Sequence, residues 1–152
     1  MLILAGMFLA CKKNEPAKEQ SSLMKTKWKL EGIVDSETGV LTELEPIDCN
    51  DCYTIVFDTS SVFFPGVVDI FIGYTTVNMI YGKYEFDNNT RTYHITPLNI
   101  TEMGDGELCH FFWKIQYFTV KDTFPRVLRL YYNDGKNYLK YKEIEYKDWR
   151  LQ

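Results

Sequence analysis

From residue 26 onward, apolar and polar residues alternate with a period of two along most of the chain, the pattern of half-buried strands. Lys27–Val34 opens it: Trp28 and Leu30 share a face, and the apolar pair Ile33 and Val34 follows Gly32. Tyr53–Asp58 is a run of aromatic and β-branched residues and predicts a strand. Between them Asp35–Asn50, acidic and turn-rich with Gly39 and Pro46, reads as a long connection. Val67–Tyr81 is strand-like but broken at Gly73. Two hairpins follow. Lys83–Asp87 and Arg91–Pro97 flank Asn88-Asn89-Thr90, while Val127–Tyr132 and Tyr138–Ile144 flank Asn133-Asp134-Gly135-Lys136, where Asp-Gly is a strong turn signal. In the last hairpin Leu128, Leu130 and Tyr132 share one face, and Arg129, Lys140 and Lys142 mark a wet one.

One segment has a different period. Leu108, Phe111, Phe112, Ile115 and Phe118 fall at helical spacing, so Leu108–Val120, preceded by Gly104-Asp105-Gly106, reads first as an amphipathic helix, with another strand as the competing reading because the segment is aromatic. Strands, one helix and a closing hairpin make an α+β domain. The expected architecture is a highly curved antiparallel sheet, a half-barrel, packed on that helix.

The first residues carry an address rather than a core. Residues 2–10 are apolar, too few to span a bilayer as a helix, and have the length of a signal-peptide h-region. Ala10 directly before Cys11 looks like a bacterial lipobox, in which the cysteine is acylated and becomes the mature N-terminus. No Lys or Arg precedes the apolar run, and Phe8 stands where Leu is usual. Residues 12–25 are polar, with Pro16, and read as a tether. The expected organisation is a signal peptide over 1–11, a tether over 12–25 and one domain over 26–149. Acyl chains supply membrane affinity in such a design, so the domain needs no membrane-binding surface of its own.

Composition narrows the function. At 45% hydrophobic and 16% aromatic the chain can bury a core. Its net charge of −4 argues against a nucleic-acid binder, which needs a basic patch. Cys49-Asn50-Asp51-Cys52 admits three readings. A redox pair should open a helix, whose N-terminus lowers the thiol pKa, but this one precedes a strand. Zinc needs four ligands, and only His94, Cys109 and His110 could complete the set. In an exported chain a local disulfide fits better, pinning the start of the 53–58 strand. Cys109, beside the apolar stripe, reads as a buried thiol. Asp48, Asp51 and Asp58 do not follow a calcium-loop spacing and read as a solvated acidic loop. The sequons at Asn88 and Asn99 carry no weight in a bacterial chain. No nucleophile elbow, zinc-protease motif or phosphate-cradling loop occurs, so no catalytic residue, metal or cofactor is expected. Phe63, Phe64, Val67 and Phe71 crowd around Pro65-Gly66; they read as core strand with a packed loop, or as an exposed interaction patch.

Several of these residues also carry a family likeness. Trp28-Lys29-Leu30, then Asn78-x-x-x-Gly82-x-Tyr84, then Thr101-x-Met103, the amphipathic segment from Leu108 and the Leu128-x-Leu130 hairpin resemble, in that order, the META domain of HslJ-like envelope lipoproteins. The likeness is nearest to the small META-like lipoproteins of the Bacteroidota, in which an Asp-Cys-x-x-Cys-Tyr stretch precedes a strand, as Asp48 to Tyr53 does here. It spans about residues 26–145, and Cys109 falls several residues later than the family's cysteine. The resemblance implies a compact α+β domain with a strongly curved sheet and no established enzymatic mechanism.

The expected function is therefore that of a monomeric, non-catalytic domain, lipid-anchored in the cell envelope at the outer membrane. It would serve a protein partner or envelope maintenance. Two alternatives compete: a lipocalin-like carrier of a small apolar ligand, and a thiol redox protein using the CxxC pair.

Overall fold

The protein was analysed as a computed structural model that describes residues 23–44, 49–58, 69–100 and 114–147, with backbone alone at 97–100. Its elements are nine strands: β1 (Thr26–Asp35), β2 (Leu41–Glu43), β3 (Thr54–Phe57), β4 (Ile70–Tyr74), β5 (Met79–Asp87), β6 (Thr92–Ile100), β7 (Tyr117–Lys121), β8 (Val127–Tyr132) and β9 (Asn137–Ile144). All pairings are antiparallel and mostly between sequence neighbours, and β9 returns to pair with β1 along nearly its whole length. Eight strands thus close into a barrel, and β2 lies outside it against the second half of β1.

Closure corrects the expected architecture. The sheet is not a half-barrel resting on a helix, and none of the described elements is helical. The last residues of the predicted helix, Tyr117 to Val120, belong to β7, which pairs with β8 from Tyr117↔Tyr131 to Lys121↔Val127. Residues 108–113 of that segment, with Thr101 and Met103 before them, lie outside the described residues, so Cys109 and His110 do too, and Ile115, described and buried, precedes β7. The physical reason is space: the sheet's own aromatic side chains fill its concave face. Trp28, Phe57, Tyr84, Phe118, Leu128, Leu139 and Tyr141 are all essentially inaccessible. Their rings interlock: Tyr93 stacks on Phe118 at 4.6 Å, and Tyr84 meets Phe57, Tyr93 and Phe118 edge-on. Edge-to-face and offset contacts of this kind add to the burial of apolar area.

Both predicted hairpins form. Asn133, Asp134 and Gly135 all adopt positive φ in the β8–β9 turn, which is why that turn is built from Asn, Asp and Gly. The break expected at Gly73 falls later, at Thr75–Asn78, where Asn78 N–H donates to the Thr75 hydroxyl. Gly73 itself stays in β4, opposite Ile80. The apolar pair Ile33-Val34 is explained by a bulge between Leu30 and Gly32. Downstream of it Ile33 faces inward opposite Leu139, and Val34 faces outward opposite Tyr138 yet is buried there, between the neighbouring Tyr138 and Leu41 positions.

Buried structure is present ahead of the first strand. Leu23, assigned to the tether by its polar surroundings, is fully buried, and its carbonyl accepts the Thr26 hydroxyl at 2.6 Å.

Candidate functional site

The cysteine loop is held from two directions. Cys49 and Cys52 form a disulfide. Two lysines of β1 reach the same loop: Lys27 pairs with Asp51 at 2.5 Å, and Lys29 Nζ donates to the carbonyls of Cys49 (2.9 Å) and Cys52. The Asp51 carboxyl is held below the usual carboxylate range, chiefly by the hydrogen bond and charge of Lys27. Thr54 closes the loop by donating to the Asp51 carbonyl. This is the chemistry of a brace: every contact fixes backbone ahead of β3. Among the described residues no His, Cys, Asp and Glu group is placed to hold a metal ion.

A concavity lies at the β5–β6 hairpin, a surface depression of about 430 Å³ lined by Glu85, Phe86, Asp87, Asn88, Asn89 and His94. Its polar groups serve the turn. Asp87 accepts the Asn89 N–H and the Thr90 hydroxyl, which hold its carboxyl below the ordinary range. His94 stands 3.8 Å from Asp87 and is more than half exposed.

The barrel interior holds two anomalies. Among the described residues, no hydrogen-bond partner meets the buried hydroxyls of Tyr84 and Tyr141. Burial pushes both phenols far above their ordinary pKa, with Asp69 and Tyr93 adding to the shift at Tyr84. Both therefore stay neutral. Their strands, β5 and β9, stand on opposite sides of the barrel in the strand order. Leaving such a hydroxyl unpaired costs about 1–3 kcal/mol. Tyr141→Phe, which keeps the ring and removes the orphaned oxygen, is therefore expected to raise stability by about 1 kcal/mol in urea denaturation. A loss of stability instead would reveal a hydroxyl partnered in solution.

The positions singled out from sequence fare unequally. Phe71 is buried in the core and offers no surface, which removes it from the interaction patch; Phe63, Phe64 and Val67 lie outside the described residues, as does Cys11. Trp28, Asn78, Gly82 and Tyr84 are all buried, so their motif is accounted for by packing. Sequence reasoning passed over Arg126, which lies 5.2 Å over the Trp28 ring and binds both Asp122 and Glu143 at the barrel rim. It also passed over Phe124, which is 97% exposed. No helix among the described residues is long and apolar enough to cross a membrane.

No family model matches this chain, so the META likeness rests on its motif residues alone. A Tannerella forsythia protein described as a candidate lipoprotein is 28% identical over 143 residues, covering 93% of this chain and 89% of its own length. Among solved structures, an NMR structure of a protein from Burkholderia xenovorans matches with a TM-score of 0.60 at 16% identity, over 92% of this chain and 99% of that one. The crystal structure of a DUF4847 family protein from Bacteroides vulgatus matches with a TM-score of 0.57 at 13% identity, over 86% and 99%. At these identities the likenesses establish the fold and say nothing of an activity.

Proposed function

We propose that this chain is an exported envelope lipoprotein, acylated on Cys11, whose barrel binds or braces other envelope components and performs no reaction of its own. The observation that carries the reading is the Ala10-Cys11 junction between an apolar run and a polar tether, in a chain similar along 93% of its length to a candidate lipoprotein. The barrel is consistent with a binding role: its interior is packed with rings, and its polar clusters serve turns and loops. The disulfide supports the brace over the redox alternative, since Lys29 engages the loop through backbone carbonyls. The carrier alternative has one observation in its favour, the two orphaned hydroxyls inside the barrel. A guest that offered each hydroxyl its own polar atom would satisfy them.

Growing cells with a labelled fatty acid tests the anchor. The wild-type chain is expected to carry the label and to fractionate with membranes, and Cys11→Ser is expected to lose both. An unlabelled wild-type chain in the cytosol would end the reading.

A further inference from the structure

The outer surface of β7, β8, β9 and β1 is ordered in rows that the strand registers fix. Nearest the β8–β9 turn run Tyr117, Tyr131 and Tyr138, the first two stacked at 4.7 Å and the last two tilted against each other at 5.2 Å. In the next row Arg129 stands directly opposite Lys140. In the third, Lys121 is opposite Val127, which is opposite Lys142, which is opposite Lys29. The face therefore holds two directly opposed like-charge pairs, an arrangement that destabilises a sheet. Burial holds the Lys29 pKa down; Lys27 and Lys142 push it the same way, against Asp51. Among the described residues the carboxylates near this face are engaged: Glu31 pairs with Lys140, Asp51 with Lys27, Asp122 and Glu143 with Arg126, and Glu145 with Lys147. In a chain of net charge −4, such a concentration of cations needs a reason.

Two further features meet at the lysine row. The β7–β8 connection leaves from Lys121 and returns at Val127, and at its tip Phe124 is 97% exposed, the most exposed of the large hydrophobic residues described. The chain also enters the barrel at this rim: Thr26 begins β1 only three residues, roughly 10 Å, before Lys29. The described chain thus begins at Leu23, three residues ahead of β1 and close to Lys29 and to Lys142 opposite it.

We propose that this rim is a membrane-facing edge: Lys121 and Lys142 contact anionic lipid headgroups beside Lys29, whose ammonium is held by the Cys49 and Cys52 carbonyls, and Phe124 inserts among them. The inference rests on the anchored reading above and goes beyond it. The anchor supplies affinity, and the edge sets the barrel's orientation. Headgroup phosphates relieve the repulsion between Lys29 and Lys142, and each cation near such a surface strengthens contact by about fivefold. An aromatic side chain is suited to the polar–apolar boundary below the headgroups.

The test uses the full acylated chain in vesicles of phosphatidylcholine alone or with phosphatidylglycerol. Amine labelling of lysines and oxidative footprinting of Phe124 are read by mass spectrometry. The phosphatidylglycerol vesicles are expected to shield Lys121, Lys142 and Phe124 several-fold relative to the neutral ones. Lys136, in the turn at the other end of the barrel, should label equally in both. High salt should remove the shielding, because it screens exposed charges. Lys142→Glu separates function from folding. It turns an opposed like pair into an ion pair with Lys29, so Tm should hold or rise while shielding of Lys121 and Phe124 falls. Equal labelling in both vesicle types, shielding of Lys136 along with Lys142, or full shielding in Lys142→Glu would overturn the proposal. So would equal shielding on neutral vesicles by added polyglutamate, which would make the rim a site for an acidic polypeptide. The intact mass reports the acyl group separately, so a missing lipid and an unoriented barrel are different results.

Discussion

Trp28→Ala is expected to destabilise the barrel by about 3–5 kcal/mol, a large part of the total stability of a domain this size. The ring is fully buried at the start of β1, the strand that closes the barrel. Three things are lost with it. The apolar volume goes, and a closed barrel cannot collapse into the gap as an open sheet might. The indole N–H to the Thr26 hydroxyl, at 2.8 Å, goes too, leaving that buried hydroxyl with only the Leu23 carbonyl. Finally, Arg126 loses the ring beneath its guanidinium, 5.2 Å from the centroid, though it keeps Asp122 and Glu143. Trp28→Phe retains most of the volume, so its cost should stay near 1.5 kcal/mol. Lys83→Ala, on an exposed outward position of β5, should change stability by no more than about 0.5 kcal/mol. The denaturation midpoints of the three variants decide the matter: equal losses for Trp28→Ala and Lys83→Ala would mean that the ring does not anchor the core.

Much of the barrel was legible because strands report their own period. The β8–β9 hairpin follows from Leu128, Leu130 and Tyr132 alternating with Arg129 and Tyr131, and from an Asn-Asp-Gly turn whose three residues all adopt positive φ. Closure was not legible, because the β1–β9 pairing joins residues near the two ends of the chain and leaves no local trace. The error at Leu108–Val120 has a specific cause. Ile115 and Phe118 lie three apart, as on a helix face, but in the structure Ile115 precedes β7 and the strand's inward positions are Phe118 and Val120. A strand of five residues offers too short a window to reveal its period of two against that background. The membrane-facing rim was hidden for another reason. Lys29, Lys121 and Lys142 are ordinary polar positions in their own strands, and only the register places them in one row.

Gly82→Ala is expected to cost about 1–3 kcal/mol, although it adds a single methyl group to a strand that would ordinarily welcome a side chain. Gly82 sits directly opposite Phe71, and the phenyl ring lies over the space where a side chain would be. A Cβ there would fall 2.3 and 2.4 Å from two ring carbons, so the ring must move. It has little room: Phe71 is 3% exposed and packs against Phe57 at 6.2 Å. Gly82 also adjoins the register shift between β5 and β6, which limits how far the backbone can yield. The cause is a pair, so a double-mutant cycle exposes it. Phe71→Leu alone removes packing and should destabilise. In the Phe71→Leu background, however, Gly82→Ala should cost clearly less than in the wild type, because the ring it strikes is gone. Strictly additive losses would show that the glycine is required for its backbone and not for the ring above it. Gly82 would then stand apart from Trp28 and Tyr84, motif positions that packing explains.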